Sequence, residues 1–223
     1  MPTARTRVKR HPERGEYERA VIDAILDEAL ICHVGFVVDG QPFVIPTIHA
    51  RDEDTLYLHG SPGSRMLRTI KDGLDVCVTV TLLDGLVLAR SVYNHSMNYC
   101  SVVVLGRARE LTGRDEKLHA MERVVEHVVP GRWADARQPN EAEIKGTTIL
   151  ALALDEASAK IRSGLPSDDE EDLSFPVWAG VIPLELVALT PIADEGIASS
   201  PPLYASSYER PNSVKTEEPA GAS

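Results

Sequence analysis

The segment His59-Gly60-Ser61-Pro62-Gly63-Ser64-Arg65-Met66 stands between two different patterns. Residues 55–59, Thr-Leu-Tyr-Leu-His, read as a strand, and residues 64–71 fit a short helix closed by Asp72-Gly73. A strand that ends in small residues and two hydroxyls before a helix opens suits an anion. Backbone N–H groups can approach closely, Ser61 and Ser64 can donate, the helix start adds positive potential, and Arg65 can pair two oxygens. Taken alone, the same composition also serves as an ordinary turn. It is not a Walker A loop, because Gly-Lys-Ser/Thr is absent.

Working outward, residues 16–29 place Tyr17, Val21, Ala24, Ile25 and Glu28 on one helical stripe. Residues 31–38 and 42–50 are strand-like and flank Asp39-Gly40, a favoured type I′ turn pair, so a hairpin is expected. Downstream, residues 76–83 predict a strand broken at Asp84-Gly85 and resumed over 86–91. Residues 101–111 predict a long strand with Gly106 as a bulge. Leu118, Met121, Val125 and Val128 form a core stripe on a helix over 115–129, stopped by Pro130-Gly131. A strand over 147–154, a polar connection over 158–166, a solvated run of acids over 168–172 and a last strand over 177–189 complete the pattern. Strands separated by turns in this number argue for an antiparallel β-barrel with flanking helices rather than a parallel αβ sheet.

The organisation predicted is a disordered basic arm over residues 1–15, one domain over 16–192 and a disordered, Ser-, Pro- and Glu-rich tail over 193–223. A hydrophobic fraction of 43% in 223 residues is enough for one core of Val, Leu, Ile and Ala. The net charge of −11 argues against a general nucleic-acid or membrane-surface role, since only the arm concentrates basic residues. Three scattered cysteines with no C-x-x-C pair, and no apolar run longer than residues 149–154, predict reduced thiols and a cytoplasmic protein. His33, His49, His59 and His95 match no metal spacing, and fingerprints of Rossmann cofactors, zinc hydrolases and α/β-hydrolases are missing. Trp178 reads as core or interface filler, or as cover for a planar ring. Ser158, Lys160 and Arg162 share one face, where two cations could meet an anion, although a solvent-facing edge accounts for them more simply.

Taken together, several segments resemble the pyridoxamine 5′-phosphate oxidase-related superfamily of FMN-binding split barrels, in its nitroimidazole-reductase-like flavin-nucleotide-binding branch. They are Asp39-Gly40-Gln41-Pro42 with Ile45-Pro46-Thr47, Tyr57-Leu58-His59-Gly60-Ser61, Asn98 to Gly106, Glu116-Lys117, Pro130-Gly131-Arg132-Trp133 and Val177 to Pro183. The resemblance implies a six-stranded antiparallel split β-barrel and a homodimer with FMN at the subunit interface. It puts the FMN phosphate near Ser61, Ser64 and Arg65, with Gly60 and Met66 also among the cofactor-binding residues, and the ring beside Pro46 and Thr47. Ser101 would lie near the ring or ribityl chain, His59 beside the ligand, and Trp178 would arrive from the partner. A flavin-dependent oxidoreductase acting on a small molecule is implied. A non-catalytic flavin-binding module, or a haem- or deazaflavin-binding member of the fold, is the alternative. Cys100 stands where the family commonly carries Arg, and the ending Leu189-Thr190-Pro191 lacks a basic strand, so pyridoxamine phosphate is not the expected substrate.

Overall fold

Asp39 and Gly40 both take positive φ, 50° and 78°. That is the left-handed pair a two-residue type I′ hairpin requires. Accordingly β2 (Ile31–Val38) turns directly into β3 (Gln41–Asp52), with Val38 opposite Gln41. The computed structural model describes residues 2–209. Before the hairpin lie β1 (Gly15–Glu16) and α1 (Arg19–Glu28). After it come β4 (Thr55–Gly60), α2 (Arg65–Ile70), β5 (Asp72–Leu88), β6 (Ser96–Glu110) and α3 (Arg114–Val128). The chain ends with α4 (Arg132–Asp135), α5 (Glu141–Lys145), β7 (Thr148–Ala153), β8 (Ala157–Arg162), β9 (Gly180–Pro183) and α6 (Leu203–Ser206).

All strand pairs are antiparallel, and six strands close a ring in the order β2, β3, β4, β7, β6, β5 and back to β2. Two of them serve more than one neighbour along one edge. β6 holds β8 over Tyr99 to Val104 and then β7 at Arg109 and Glu110. β5 holds β2 over Cys77 to Thr79 and then β9 over Gly85 to Leu88. The expected split barrel is thus the observed one. Its interior is filled by alternate residues such as Val34, Leu56, Leu58, Val78, Val102 and Leu150, all fully buried. Ile22, Ile25 and Leu26 of α1 plug it at i, i+3 and i+4. Cys32 and Cys100 also point into this core, and burial pushes both thiols up to about 12.

Several local expectations are corrected. The break at Asp84-Gly85 is a bulge inside one continuous β5, and a second register shift falls at Asp72 to Asp75, while Gly106 pairs regularly with Val76. The stripe on α3 is half-buried, and its deepest residues are Ala120 and Val124, because α3 covers a small outer cluster with Leu111, Ile149 and Ala151. Residues 157–162 form a strand, not a polar connection or an open edge: β8 lies between β6 and β1, and Ser158 and Arg162 are buried. Asp168 leaves the solvated acid run, since its carboxylate accepts from Arg90 N–H at 2.7 Å and Arg90 NH1 at 2.9 Å. The last strand is confined to β9.

Residues before 16, read from sequence as a disordered arm, lie along β8: Thr6 is buried, Val8 N–H donates to the Tyr17 hydroxyl at 2.9 Å, and Gly15 pairs with Lys160. In the tail, α6 rests on the α3–α4 turn, where Arg132 donates to the Tyr204 hydroxyl at 2.8 Å and the Tyr208 hydroxyl donates to Val128 O at 2.8 Å. Residues 210–223 of the expected tail lie outside the described residues.

α1 is fixed to β3 by polar contacts. His49 Nε2 donates to Leu26 O at 3.0 Å, and Arg51 forks onto Asp27 at 2.9 and 2.6 Å. Burial, reinforced by the nearby His127, lowers the His49 pKa to about 4. A histidine held neutral in the fold but free to protonate near 6.5 when unfolded stabilises fully above that pH. The contribution is lost as pH falls from 6.5 towards 4, in all about 3 kcal/mol at roughly 1.4 kcal/mol per pH unit. Urea midpoints measured from pH 7 to 4.5 should fall less steeply for His49→Gln than for the parent chain. Equal slopes would contradict the assignment.

Candidate functional site

The loop between β4 and α2 is tied to itself. Ser61 Oγ accepts from Gly63 N–H at 3.1 Å, and Ser64 N–H donates to Ser61 O at 2.8 Å. Ser64 Oγ caps α2 by accepting from Leu67 N–H at 3.4 Å. Both hydroxyls therefore act as acceptors within the loop and keep their protons to donate outward. Because α2 has just six residues, the positive character here comes from side chains more than from a helix dipole.

Arg65 supplies that charge. Its guanidinium carbon lies 4.5 Å from the centroid of Phe43, whose ring stacks on Phe36 at 5.6 Å. The aromatic face orients the cation without neutralising it. Among the described residues no carboxylate pairs with the guanidinium of Arg65 or Arg68, although the chain carries a formal charge of −11. Phe43 was not signalled by sequence. The pairing of Phe36 with Phe43 across the hairpin could have suggested a shared aromatic face, but not that a helix residue would lie over it.

His59 is half-buried at the end of β4, and its Nδ1 is buried without a hydrogen-bond partner. Desolvation lowers its pKa, so the ring is neutral near pH 7. His49 and Leu58 face each other across β3 and β4, which places Pro46 and His59, both out of phase with that pair, on the opposite face of the sheet. Pro46 is exposed on this face, and Thr47 is half-buried on the other. Met66 is buried in the core, so its backbone N–H rather than its side chain is left for a ligand.

The remaining expected residues are not gathered here within one chain. Val103 lies three strand spacings round the ring from Pro46, through His33 and Thr79, which is roughly 14 Å across the strands, and Ser101 is two residues further along β6. Its hydroxyl donates to Lys160 O at 3.2 Å. Trp178 is 65% exposed and folds over Gly180, where a Cβ would come within 2.8 Å of the indole. The structure thus brings together Ser61, Ser64, Arg65 and His59 at one rim and leaves Ser101 and Trp178 elsewhere on the surface.

Comparison with known proteins agrees with this architecture. The family described as pyridoxamine 5′-phosphate oxidase matches over residues 18–161. The flavocytochrome Anf3 from Azotobacter vinelandii is 39% identical, with 94% of this chain and 98% of that one covered and a TM-score of 0.88. The FAD and heme binding protein from Mycobacterium smegmatis is 34% identical over 85% of this chain and 93% of that one, with a TM-score of 0.81. A candidate 5-nitroimidazole antibiotic resistance protein from Bacteroides thetaiotaomicron shares the fold at 24% identity, covering 66% of this chain and 86% of that one, with a TM-score of 0.55. No curated protein matches the chain. The protein belongs to the pyridoxamine 5′-phosphate oxidase-related family, and its relatives of the same fold include flavin-binding proteins. Among the described residues no helix is long and apolar enough to cross a membrane.

The environment of His59 makes a direct prediction. Its imidazole should titrate below the usual histidine midpoint in an NMR pH series, because burial disfavours the charged ring. A midpoint at or above the ordinary value would contradict the burial described.

Proposed function

We propose that this chain is a redox flavoprotein of the flavocytochrome kind, which holds the phosphate of a flavin at Ser61, Ser64 and Arg65. The observation that carries the proposal is Arg65, an unneutralised cation held over Phe43 beside two donor hydroxyls. The unpartnered Nδ1 of His59 fits a ligand that offers one hydrogen bond at the same rim. Support comes from the 39% identity with a flavocytochrome and the 34% identity with an FAD- and haem-binding protein. FAD is accordingly the form expected, with its FMN half where the sequence analysis places FMN.

When bound, the flavin supplies the hydride and single-electron chemistry. Arg65 balances phosphate charge, the Ser61 and Ser64 hydroxyls donate to phosphate oxygens, and Pro46, on the exposed face of the hairpin, borders the ring. His59, neutral, can hold or accept one proton position at Nδ1. The electron partner is a small molecule or a reduced donor.

A second copy of the chain completes this site. Ser101 lies several strands round the ring from Pro46, and the outer face of the hairpin exposes Ile31, Val37, Val44 and Ile48. The segment beyond β9 exposes Leu186, Val187, Leu189 and Ile192 as well. Apolar surface on this scale is characteristic of a protein–protein interface, and a homodimer would cover it.

An absorption spectrum of the purified protein, with the released flavin identified by chromatography, tests the reading. A protein that carries no flavin and binds neither added FMN nor FAD would refute it. Bound flavin that no reduced donor can reduce would leave a binding module without turnover. Arg65→Ala should weaken flavin binding at least tenfold, the scale of a charge-assisted hydrogen bond. Ser64→Asp keeps the capping acceptor of α2 but sets a negative charge beside the phosphate. It should leave the thermal midpoint nearly unchanged while lowering flavin affinity by a comparable factor. Dissociation constants equal to the parent's in both variants would remove the phosphate from this loop.

A further inference from the structure

A cavity of about 750 Å³ opens between the N-terminal arm, the connection from β5 to β6 and the paired strands β6 and β8. It sits at the other end of β6 from the Arg65 loop. Tyr99, near the start of β6, lines the cavity, whereas the loop follows Gly60, which pairs with β7, the strand whose Leu150 faces Glu110 at the end of β6. Among the described residues no aliphatic side chain lines this volume. Arg10, Arg14, Lys160 and Arg162 bring cations to it, and Tyr93 and Tyr99 bring aromatic rings. Lys160 and Arg162 share the outward face of β8, because Ala159 and Ile161 between them turn into the core.

The cations are almost unanswered. Arg14 meets a carboxylate, Glu13, only at 3.8 Å, and among the described residues Arg10, Lys160 and Arg162 have no carboxylate partner. Asp168, beside the lining Ser167, is already engaged by Arg90 at 2.9 Å. Arg162 is 7% exposed, yet neutral groups hold it: Asn98 Oδ1 and the carbonyls of Gly164 and Leu165 accept from its two terminal nitrogens, which leaves Nε to donate. Burial, and after it the charge of Arg14, lowers the Arg162 pKa. Two cations that repel each other, one of them buried without a counter-charge, gain from an anion that carries more than one charge.

The kind of anion follows from what else is there. A lone phosphate would fill a small part of the volume and leave most of the cations unpaired. A long nucleic acid would meet the field of a chain with a formal charge of −11. Tyr93 is 90% exposed, on a turn over Val92–Asn94 that Ser91 Oγ fixes by accepting from Tyr93 N–H at 3.3 Å. An exposed ring held beside cations is a stacking face for a heterocyclic base. We infer that this cavity binds a nucleoside di- or triphosphate, with the phosphates among Arg10, Arg14, Lys160 and Arg162 and the base on Tyr93. The site is separate from the β4–α2 loop, and the inference does not rest on the flavin reading.

Calorimetric titration of the full chain with adenosine, AMP, ADP, ATP and tripolyphosphate, at one ionic strength, is the test. Affinity should rise from AMP to ATP, and adenosine should not bind. Arg10→Gln combined with Lys160→Gln should weaken ATP about tenfold, with the thermal midpoint and the affinities for FMN and FAD unchanged. Tyr93→Ala should weaken ATP but leave tripolyphosphate as in the parent. Arg65→Ala should bind ATP like the parent whatever it does to flavin. The inference is overturned if neither ADP nor ATP binds at millimolar concentration, if AMP binds as tightly as ATP, or if the double variant keeps the parent affinity. Equal losses of ATP and tripolyphosphate in Tyr93→Ala would remove the base from the ring and overturn it as well. A double variant that loses FAD but not FMN would give the cavity to the adenylate half of the flavin, and an oligonucleotide that binds more tightly than ATP would give it to a nucleic acid; either result overturns the inference.

Discussion

The structure depends on how β5 and β6 use their edges. Every backbone donor and acceptor in a strand needs a partner, and a ring leaves no free edge to satisfy. These two strands pair with each other over most of their length, then divide their outer edges among β2, β9, β7 and β8. The division lets a six-membered ring close while still carrying three additional strands. It also decides what lies where. Inward positions form one continuous apolar core, and the β4–α2 loop is pushed to a rim.

Charge is distributed against the average of the molecule. With a formal −11, most arginines are engaged by carboxylates, as in Arg51 with Asp27, Arg90 with Asp168 and Arg137 with Glu143. Among the described residues the arginines without a carboxylate partner are Arg65 and Arg68 at the β4–α2 rim, Arg10 and Arg162 at the cavity beside β8, and Arg7 in the N-terminal arm. A surrounding negative field discourages nonspecific anions, so that local donor geometry, more than net attraction, selects what binds. The first place offers one cation over an aromatic face, and the second offers several around a volume.

Much of the fold was legible because its signals are local. Asp39-Gly40 dictates a hairpin whatever surrounds it, and the helices and most strands follow from periodicity. What failed depended on tertiary context. Asp84-Gly85 carries turn residues, yet pairing with both β6 and β9 draws them into a bulge. Lys160 and Arg162 look like solvent-facing cations until β6 pairs along both and β1 pairs on the other side of Lys160. The candidate site divides in the same way. Ser61, Ser64 and Arg65 are neighbours in sequence and could be found there, whereas Phe43 under Arg65 lies on another strand. The sequence around Arg10 and Arg14 has the composition of a disordered terminus. It is the pairing of Gly15 with Lys160 that brings them to the cavity.

The buried cysteines have a consequence of another kind. Cys32 and Cys100 face the core with thiols pushed up to about 12, and burial raises the half-buried Cys77 as well. Sulfur reacts with peroxides and alkylating agents as the thiolate, and at physiological pH these residues supply almost none. A barrel that handles electrons at its rims would in this way hold its own most oxidisable atoms in a form that oxidants attack slowly. The molecule should therefore tolerate the reactive oxygen species that redox cofactors shed in air.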